Sequence, residues 1–300
     1  MNKTLIFIIW TLLLPAAAWA APIGMSRDYA RVQNFLVDLA KSNPRTTRLF
    51  ELGQNSRGES ILGVKIGEGS VKNLVVATHH GDEYGSTEVA LGLAEDLARD
   101  PIQGRTIYVI PVLNIPGFNS GRRGELDGNG KTHIDPNRDY PGPCGPTTPF
   151  RLRSTRALAD FIEREKIVTS ATLHTSGAMI LYPWGVPADN TATEYERDYQ
   201  ELGRMCTVAS DYRIGNSTEL LYPAVGSFED FAYWKYGIWS ILFEIGRRRS
   251  PDADELRELV RENIPGLRGL LANAPSTRAP KHRLESTCTS QFLGMDLRDE

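Results

Sequence analysis

Apolar residues recur at helical spacing through residues 26–42, SRDYARVQNFLVDLAKS, with Ser26 placed as a cap and Pro44 just past the end. Shorter apolar runs predict strands at 48–52 (RLFEL), 60–67 (SILGVKIG), 73–78 (NLVVAT), 106–113 (TIYVIPVL), 168–174 (VTSATLH), 178–183 (AMILYP) and 239–245 (WSILFEI). Between or after them, helical patterns occupy 86–100, 151–166, 191–212 and 252–272. Strands that alternate with long helices predict an α/β fold, a three-layer α/β/α sandwich around a mixed, largely parallel β-sheet. No internal repeat or interdomain linker interrupts the pattern, so residues 21–274 read as one domain.

Three segments stand apart. Residues 1–20, MNKTLIFIIWTLLLPAAAWA, put Lys3 before an apolar stretch from Leu5 to Leu14 and end on Ala18-Trp19-Ala20, the pattern of a secretory signal peptide cleaved after Ala20. The apolar run is shorter than the ~20 residues of a membrane span, so the expectation is a secreted or periplasmic chain with no stable membrane anchor. Residues 115–151 are rich in Gly, Pro, Asn and Asp and too long for a simple connection, which marks a functional loop. In the tail, residues 275–300, apolar density falls and no period is clear, and the sequence leaves open whether it wraps the domain.

A net charge of -3 over 300 residues gives no electrostatic reason to expect a nucleic-acid partner. An oxidising compartment admits disulfides, and Cys144, Cys206 and Cys288 allow one bridge with one thiol left over, without choosing the pair. None of the three has metal-site spacing.

The chemistry lies elsewhere, in LVVATHHGDEYGS at 74–86, where two adjacent histidines and two adjacent acids stand between an apolar strand and a helix. Open α/β sheets place their ligands at this end of a strand. His80 with Glu83, and His79 with Asp82, both have the i, i+3 separation that brings side chains onto one face of a turn. Either pair supplies an imidazole nitrogen and a carboxylate oxygen to zinc, and spacing does not choose between them.

These residues, with four later motifs, resemble the zinc metallocarboxypeptidases of the carboxypeptidase A type. The family's first motif, His-x-x-Glu, matches His80-Gly81-Asp82-Glu83 and implies His80 and Glu83 as ligands. VTSATLHTSGAMILYPWG supplies His174 as the third, leaving the open fourth position of a catalytic rather than structural zinc, one Zn2+ per chain. IDPNRDYPG resembles the family's DLNRNFPG and aligns Asn137 and Arg138 with the pair that grips a terminal carboxylate, and Asp135 with the acid that orients a ligand histidine. Pro136 and Asp139 depart from that pattern, and a local backbone change is expected there. The family needs one arginine upstream to stabilise the oxyanion, and of Arg122 and Arg123 the offset favours Arg123. LYPAVGSFEDFAYWKYGIWSILFEIG resembles the segment that runs from a mobile tyrosine through the specificity pocket to the general base, giving Tyr222, Glu229 and Glu244. Two competing readings remain on the residues themselves: DGNGKTHID as a calcium loop including His133, and Glu244 paired with one of Arg247, Arg248 and Arg249.

The resemblance implies an exported hydrolase that cuts the C-terminal amide bond of peptides, with Glu244 as base and Arg123 at the oxyanion. Glu229 in the pocket implies a leaving residue with an amine or guanidinium. The chain is also similar to the compact bacterial murein peptide amidases that cut between γ-D-Glu and meso-diaminopimelate, which makes a cell-wall stem peptide the expected substrate. Alternatives are a carboxypeptidase for C-terminal Lys or Arg, a zinc deacylase acting on a non-peptide acyl group, and an inactive peptide-binding relative.

Overall fold

The computed structural model describes residues 27–289; the expected signal peptide, residues 1–20, lies outside them. The elements of the first half are α1 (Tyr29–Ser42), β1 (Thr47–Gln54), β2 (Ser60–Ile66), β3 (Val71–Ala77), α2 (Tyr84–Arg99), β4 (Arg105–Ile110), α3 (Ile115–Ser120), β5 (Glu125–Leu126) and β6 (His133–Ile134). A 3₁₀ turn, Pro136–Arg138, leads to α4 (Arg153–Arg164), β7 (Thr169–His174), β8 (Met179–Tyr182), α5 (Glu196–Cys206), β9 (Arg213–Asn216), α6 (Ser217–Leu220), α7 (Phe228–Tyr236), β10 (Trp239–Glu244) and α8 (Ala253–Asn273). All seven expected strands form. The cap of α1 is Asp28, whose side chain accepts from Ala30 N, while Ser26 lies outside the described residues.

One eight-stranded sheet runs β1-β2-β4-β3-β7-β10-β8-β9. The central pairs β4/β3, β3/β7 and β7/β10 are parallel, β8/β9 is parallel at one edge, and β1/β2, β2/β4 and β10/β8 are antiparallel. The sheet is therefore mixed and largely parallel, as expected. Strand register shows that helices cover both faces. Asn73 lies beside Ile107, and Leu74 beside Tyr108. Successive residues of a strand point to opposite faces. Asn73 donates to the carbonyl of Leu271 in α8, whereas Tyr108 packs edge-on against Phe161 of α4. The two helices thus sit on opposite sides, and the inner strands are buried on both, so β3 reads as an apolar run from Leu74 to Ala77, whereas β7 buries Thr169, Ser170 and Thr172 beside Ala171 and Leu173.

The chain leaves β3 toward β4 on one side and returns to β7 on the other, so the β3/β7 boundary is a switch point where the carboxyl ends of parallel strands open a crevice. β7 and β10 end there together, with Glu244 in register beside His174. The segment 115–151, expected as a loop, holds α3, the β5/β6 hairpin and the 3₁₀ turn at this rim.

The tail wraps the domain as far as it is described. Trp239 Nε1 donates to the carbonyl of Thr277, Arg278 donates to the carbonyls of Ile162 and Ile167, and Ala279 N donates to Gly237 O. Cys288 pairs as a short bridge with Ala188 and is disulfide-bonded to Cys144, 144 residues away; Cys206 is the free, buried thiol. Closing so long a loop restricts the unfolded chain, an effect of about 3–5 kcal/mol. Replacing both Cys144 and Cys288 by Ala should lower the urea midpoint and raise the m-value, because the unfolded chain is then freer to expand; a midpoint equal to the parent's would show that the tail's hydrogen bonds suffice.

Candidate active site

β3 ends in an unusual turn. Thr78 sits in the left-handed region at φ 59, a costly conformation for a β-branched residue. Its hydroxyl is held by Thr87 at 2.6 Å and the carbonyl of Pro111 at 2.9 Å. Gly81 follows where the backbone of Gly117 approaches so closely that a Cβ would lie 2.0 Å from its carbonyl carbon. The tract between them is thereby forced to project His80 into the crevice, and Glu83 stands at the cap position of α2 with its side chain turned away from the helix.

His80 Nδ1, Glu83 and His174 Nδ1 converge. Glu83 Oε1 lies 2.9 Å from His80 Nδ1, Glu83 Oε2 lies 2.9 Å from His174 Nδ1, and the two ring nitrogens are 3.1 Å apart. Tetrahedral zinc with bonds of about 2.0–2.2 Å to nitrogen and oxygen separates its donors by only slightly more, so the three atoms are already near coordination spacing. All three residues are buried, and the donor set of two imidazoles and a carboxylate suits a catalytic zinc. His79 and Asp82 are elsewhere. The buried His79 ring faces Tyr140 Oη at 3.1 Å and stacks behind His174, and burial, with the neighbouring histidines, holds it well below the usual pKa. Asp82 lies toward Arg249, 3.7 Å away. The structure thus separates the two readings that spacing left open.

Asp135 orients the site. Its Oδ1 meets His80 Nε2 at 3.0 Å and caps the 3₁₀ turn by accepting Asn137 N at 2.8 Å, while its Oδ2 accepts from Arg123 Nε and Nη2 at 3.0 and 2.8 Å. Pro136 is at the first position of that turn, where its missing N–H costs nothing. Asp139 instead fixes the chain entering α4, accepting from the amides of Arg151 and Leu152 and the Thr155 hydroxyl. The two departures from the expected motif are therefore local backbone features. Burial pulls His80 downward, but Glu83 and Asp135 outweigh it and raise the imidazole to about 9. Likewise burial opposes ionisation of Glu83 and Asp135, yet His80 first, with His174 beside one and the arginines beside the other, holds both carboxyls well below the usual range.

Arg123 spends two nitrogens on Asp135, and its third, Nη1, faces Glu83 at 3.6 Å. Arg122 is exposed and turned away, so Arg123 is the arginine of the site. Across the crevice Glu244 ends β10, half-buried, and no described residue hydrogen-bonds its carboxylate. Burial, with Glu83 adding to it and the histidines and Arg123 opposing, pushes it up to about 7. The three following arginines pair with Asp211, Glu255 and Asp82, which leaves Glu244 to the crevice. His133 is exposed, and Asp127 accepts from three amides of its own loop, so that loop is a turn.

Arg138 Nη1 donates to the Asn137 carbonyl at 2.7 Å, and Nη2 donates to Tyr222 Oη at 3.3 Å. Tyr222 is 48% exposed with its ring 5.8 Å from the guanidinium. Asn137 Nδ2 lies 3.5 Å from His174 Nε2 and 3.4 Å from Glu229 Oε2, and its side-chain Oδ1 accepts from Phe228 N. Glu229, on α7, is buried and also accepts from the Thr172 hydroxyl. Asp230 turns to the Gly185 amide, and burial raises it to about 7. The expected site residues are thus brought together. Thr172 went unread, although it precedes His174 by two positions and shares its face of β7.

A profile described as zinc carboxypeptidase matches residues 32–266. Carboxypeptidase SOL1 of Arabidopsis thaliana is 23% identical over 276 residues, spanning 82% of this chain and 55% of its own. Carboxypeptidase D of Mus musculus is 22% identical, spanning 76% of this chain and 20% of its own. The chain thus spans about half or less of these relatives' length. Bovine thrombin-activatable fibrinolysis inhibitor, solved with tick carboxypeptidase inhibitor, shares the fold at TM-score 0.75 and 17% identity, covering 82% of this chain and 96% of that one. The murein-tripeptide amidase MpaA of Escherichia coli O157 does so at TM-score 0.55 and 17% identity, covering 76% and 92%.

Proposed function

Because this chain belongs to the zinc carboxypeptidase family, we propose that it is an exported hydrolase that removes the C-terminal residue of peptides, and that this residue carries a side-chain amine, with meso-diaminopimelate of cell-wall peptides preferred. The observation that carries the chemistry is the convergence of His80, Glu83 and His174 opposite a carboxylate, Glu244, that no described residue engages. Zinc bound there would polarise the scissile carbonyl and acidify water. Asn137 and Arg138 hold the substrate's terminal carboxylate, a planar guanidinium matching it with two parallel bonds, and Tyr222 closes over Arg138. Arg123 offers Nη1 to the carbonyl oxygen as charge develops on it. Glu244 removes the proton of the attacking water and delivers it to the leaving amine. Export is supported by the Cys144–Cys288 bridge, which suits an oxidising compartment.

Glu229 supports the substrate class, as a buried carboxylate adjoining Asn137 and so the place of the terminal residue. A hydrogen-bonded ion pair with a distal amine contributes about 1.5–3 kcal/mol. Glu229→Gln should therefore lower kcat/KM on diaminopimelate- and Lys-terminated peptides by roughly 10- to 100-fold, and leave Leu-terminated peptides little changed. The parent should cut γ-D-Glu-diaminopimelate faster than a Lys-terminated peptide. Equal losses on Leu-terminated peptides would remove Glu229 from the pocket and the amine preference with it.

A further inference from the structure

Two consecutive arginines leave the chain on opposite sides at the rim of the crevice. Arg123 turns inward to Asp135 and Glu83, while Arg122 turns outward, its amide bonded to the Gly117 carbonyl and its guanidinium meeting no hydrogen-bond or ion-pair partner among the described residues. It lines a half-open cavity of about 400 Å³ together with Arg57, from the turn between β1 and β2, and His133 of β6. Arg57 is likewise exposed, and its guanidinium has no partner among the described residues. Pro116 and Leu126 form apolar parts of the wall. The acids on the same elements are engaged elsewhere: Glu59 accepts from Asn55, Asp127 caps its own loop, and Glu125 is buried against Ser154. Leu126 and His133 are cross-strand partners on the face opposite Glu125, so that carboxylate is on the far side of the hairpin. Three separate elements thus bring two guanidinium groups and an imidazole around one cavity, and none of the described residues that line it is acidic.

We propose that this cavity is an anion-binding subsite that takes a carboxylate on the acyl portion of the substrate, on the other side of the scissile bond from the residue released. The inference rests on the proposed function, in which Arg138 marks the terminal carboxylate and Arg123 the scissile carbonyl. The acyl portion must then continue past Arg123 over the rim, where Arg122 is the preceding residue of the same backbone, its Cα ~3.8 Å from that of Arg123 and its guanidinium on the outer side. A γ-linked D-glutamyl residue carries a free α-carboxylate on that acyl side, whereas an ordinary peptide need not.

The test compares L-Ala-γ-D-Glu-diaminopimelate with its counterpart whose D-Glu α-carboxylate is an amide, in the zinc-loaded parent and in the Arg57→Ala/Arg122→Ala double variant. Exposed charge pairs are individually weak and screened by salt. The parent should therefore favour the free acid by about threefold to tenfold, mainly through KM, and lose that preference as salt rises. The double variant should treat both substrates alike and cut the amide at the parent's rate. No preference in the parent, or a preference that persists in the double variant, would overturn the proposal. Equilibrium binding of the same two peptides to zinc-loaded Glu244→Gln protein, with and without the two arginines, reads the subsite even where neither peptide is cut, and so separates its failure from failure of the proposed hydrolysis.

Discussion

Replacing Glu244 by glutamine is expected to lower kcat by about 10²–10⁴-fold while zinc content and secondary structure remain those of the parent. The side chain stands at the end of β10 in register with His174 but outside the donor set, so the substitution removes a proton acceptor without removing a ligand. Glutamine has the same shape, and no arginine or hydrogen-bond donor loses a partner. Activity within about tenfold of the parent would exclude Glu244 as the base. The same change carries a stability signature of opposite sign. In the metal-free protein burial raises this carboxyl from 4.5 to about 7, so its contribution to stability is present below the unfolded value and lost as pH rises through 7. Metal-free Glu244→Gln protein should accordingly melt above the parent at pH 8, with the gain shrinking toward pH 5. A bound cation opposes the shift, so the melting comparison requires chelated samples.

Replacing His174 by alanine is expected to abolish stoichiometric zinc and with it turnover. The ring is almost wholly buried, and its Nδ1 is one of three donors within 4.8 Å of one another. Its removal leaves His80 and Glu83, two ligands from one turn, where a catalytic zinc takes three. Two comparisons give the result its meaning. Asp135→Asn keeps all three donors but weakens the hold on His80 Nε2, and should reduce zinc affinity by the roughly 10–100-fold typical of an orienting partner. His79→Ala should retain zinc, since that ring packs behind the ligands against Tyr140. Metal analysis after dialysis would reverse the assignment if His79→Ala lost its zinc and His174→Ala kept it.

The parts of this architecture legible in the sequence are those governed by local periodicity. Buried parallel strands are largely apolar on both faces, so β3, β4 and β10 stand out, β7 is marked instead by its small and β-branched residues, and the long helices α2, α4 and α8 follow from their 3.6-residue spacing. Short elements carry too little period to read. β9, α3 and α7 were not foreseen, although α7 presents Glu229, because their residues are fixed by what they pack against. The choice of His80 over His79 depended on resemblance, since both spacings are equal; in the folded chain it follows from Thr78 in the left-handed region and Gly81 against Gly117. The cysteine pair was beyond reach for a similar reason: nothing local ties position 144 to position 288. Arg122 and Arg123 are adjacent in sequence, and only the placement of Asp135 tells them apart.

The bridge between Cys144 and Cys288 divides the crevice in a way the sheet does not. It closes a covalent ring that contains His174, Tyr222, Glu229 and Glu244, and leaves His80, Glu83, Arg123, Asp135, Asn137 and Arg138 on the open strand that precedes it. A metal held by His80, Glu83 and His174 is then a clasp between ring and open strand. The direct chain route from His80 to His174 spans 94 positions and is shorter than any route through the bridge. Closing the ring therefore does not bring the ligands nearer, and opening it does not set them further apart. The molecule has two nearly independent fasteners, one sensitive to reductant and one to chelator.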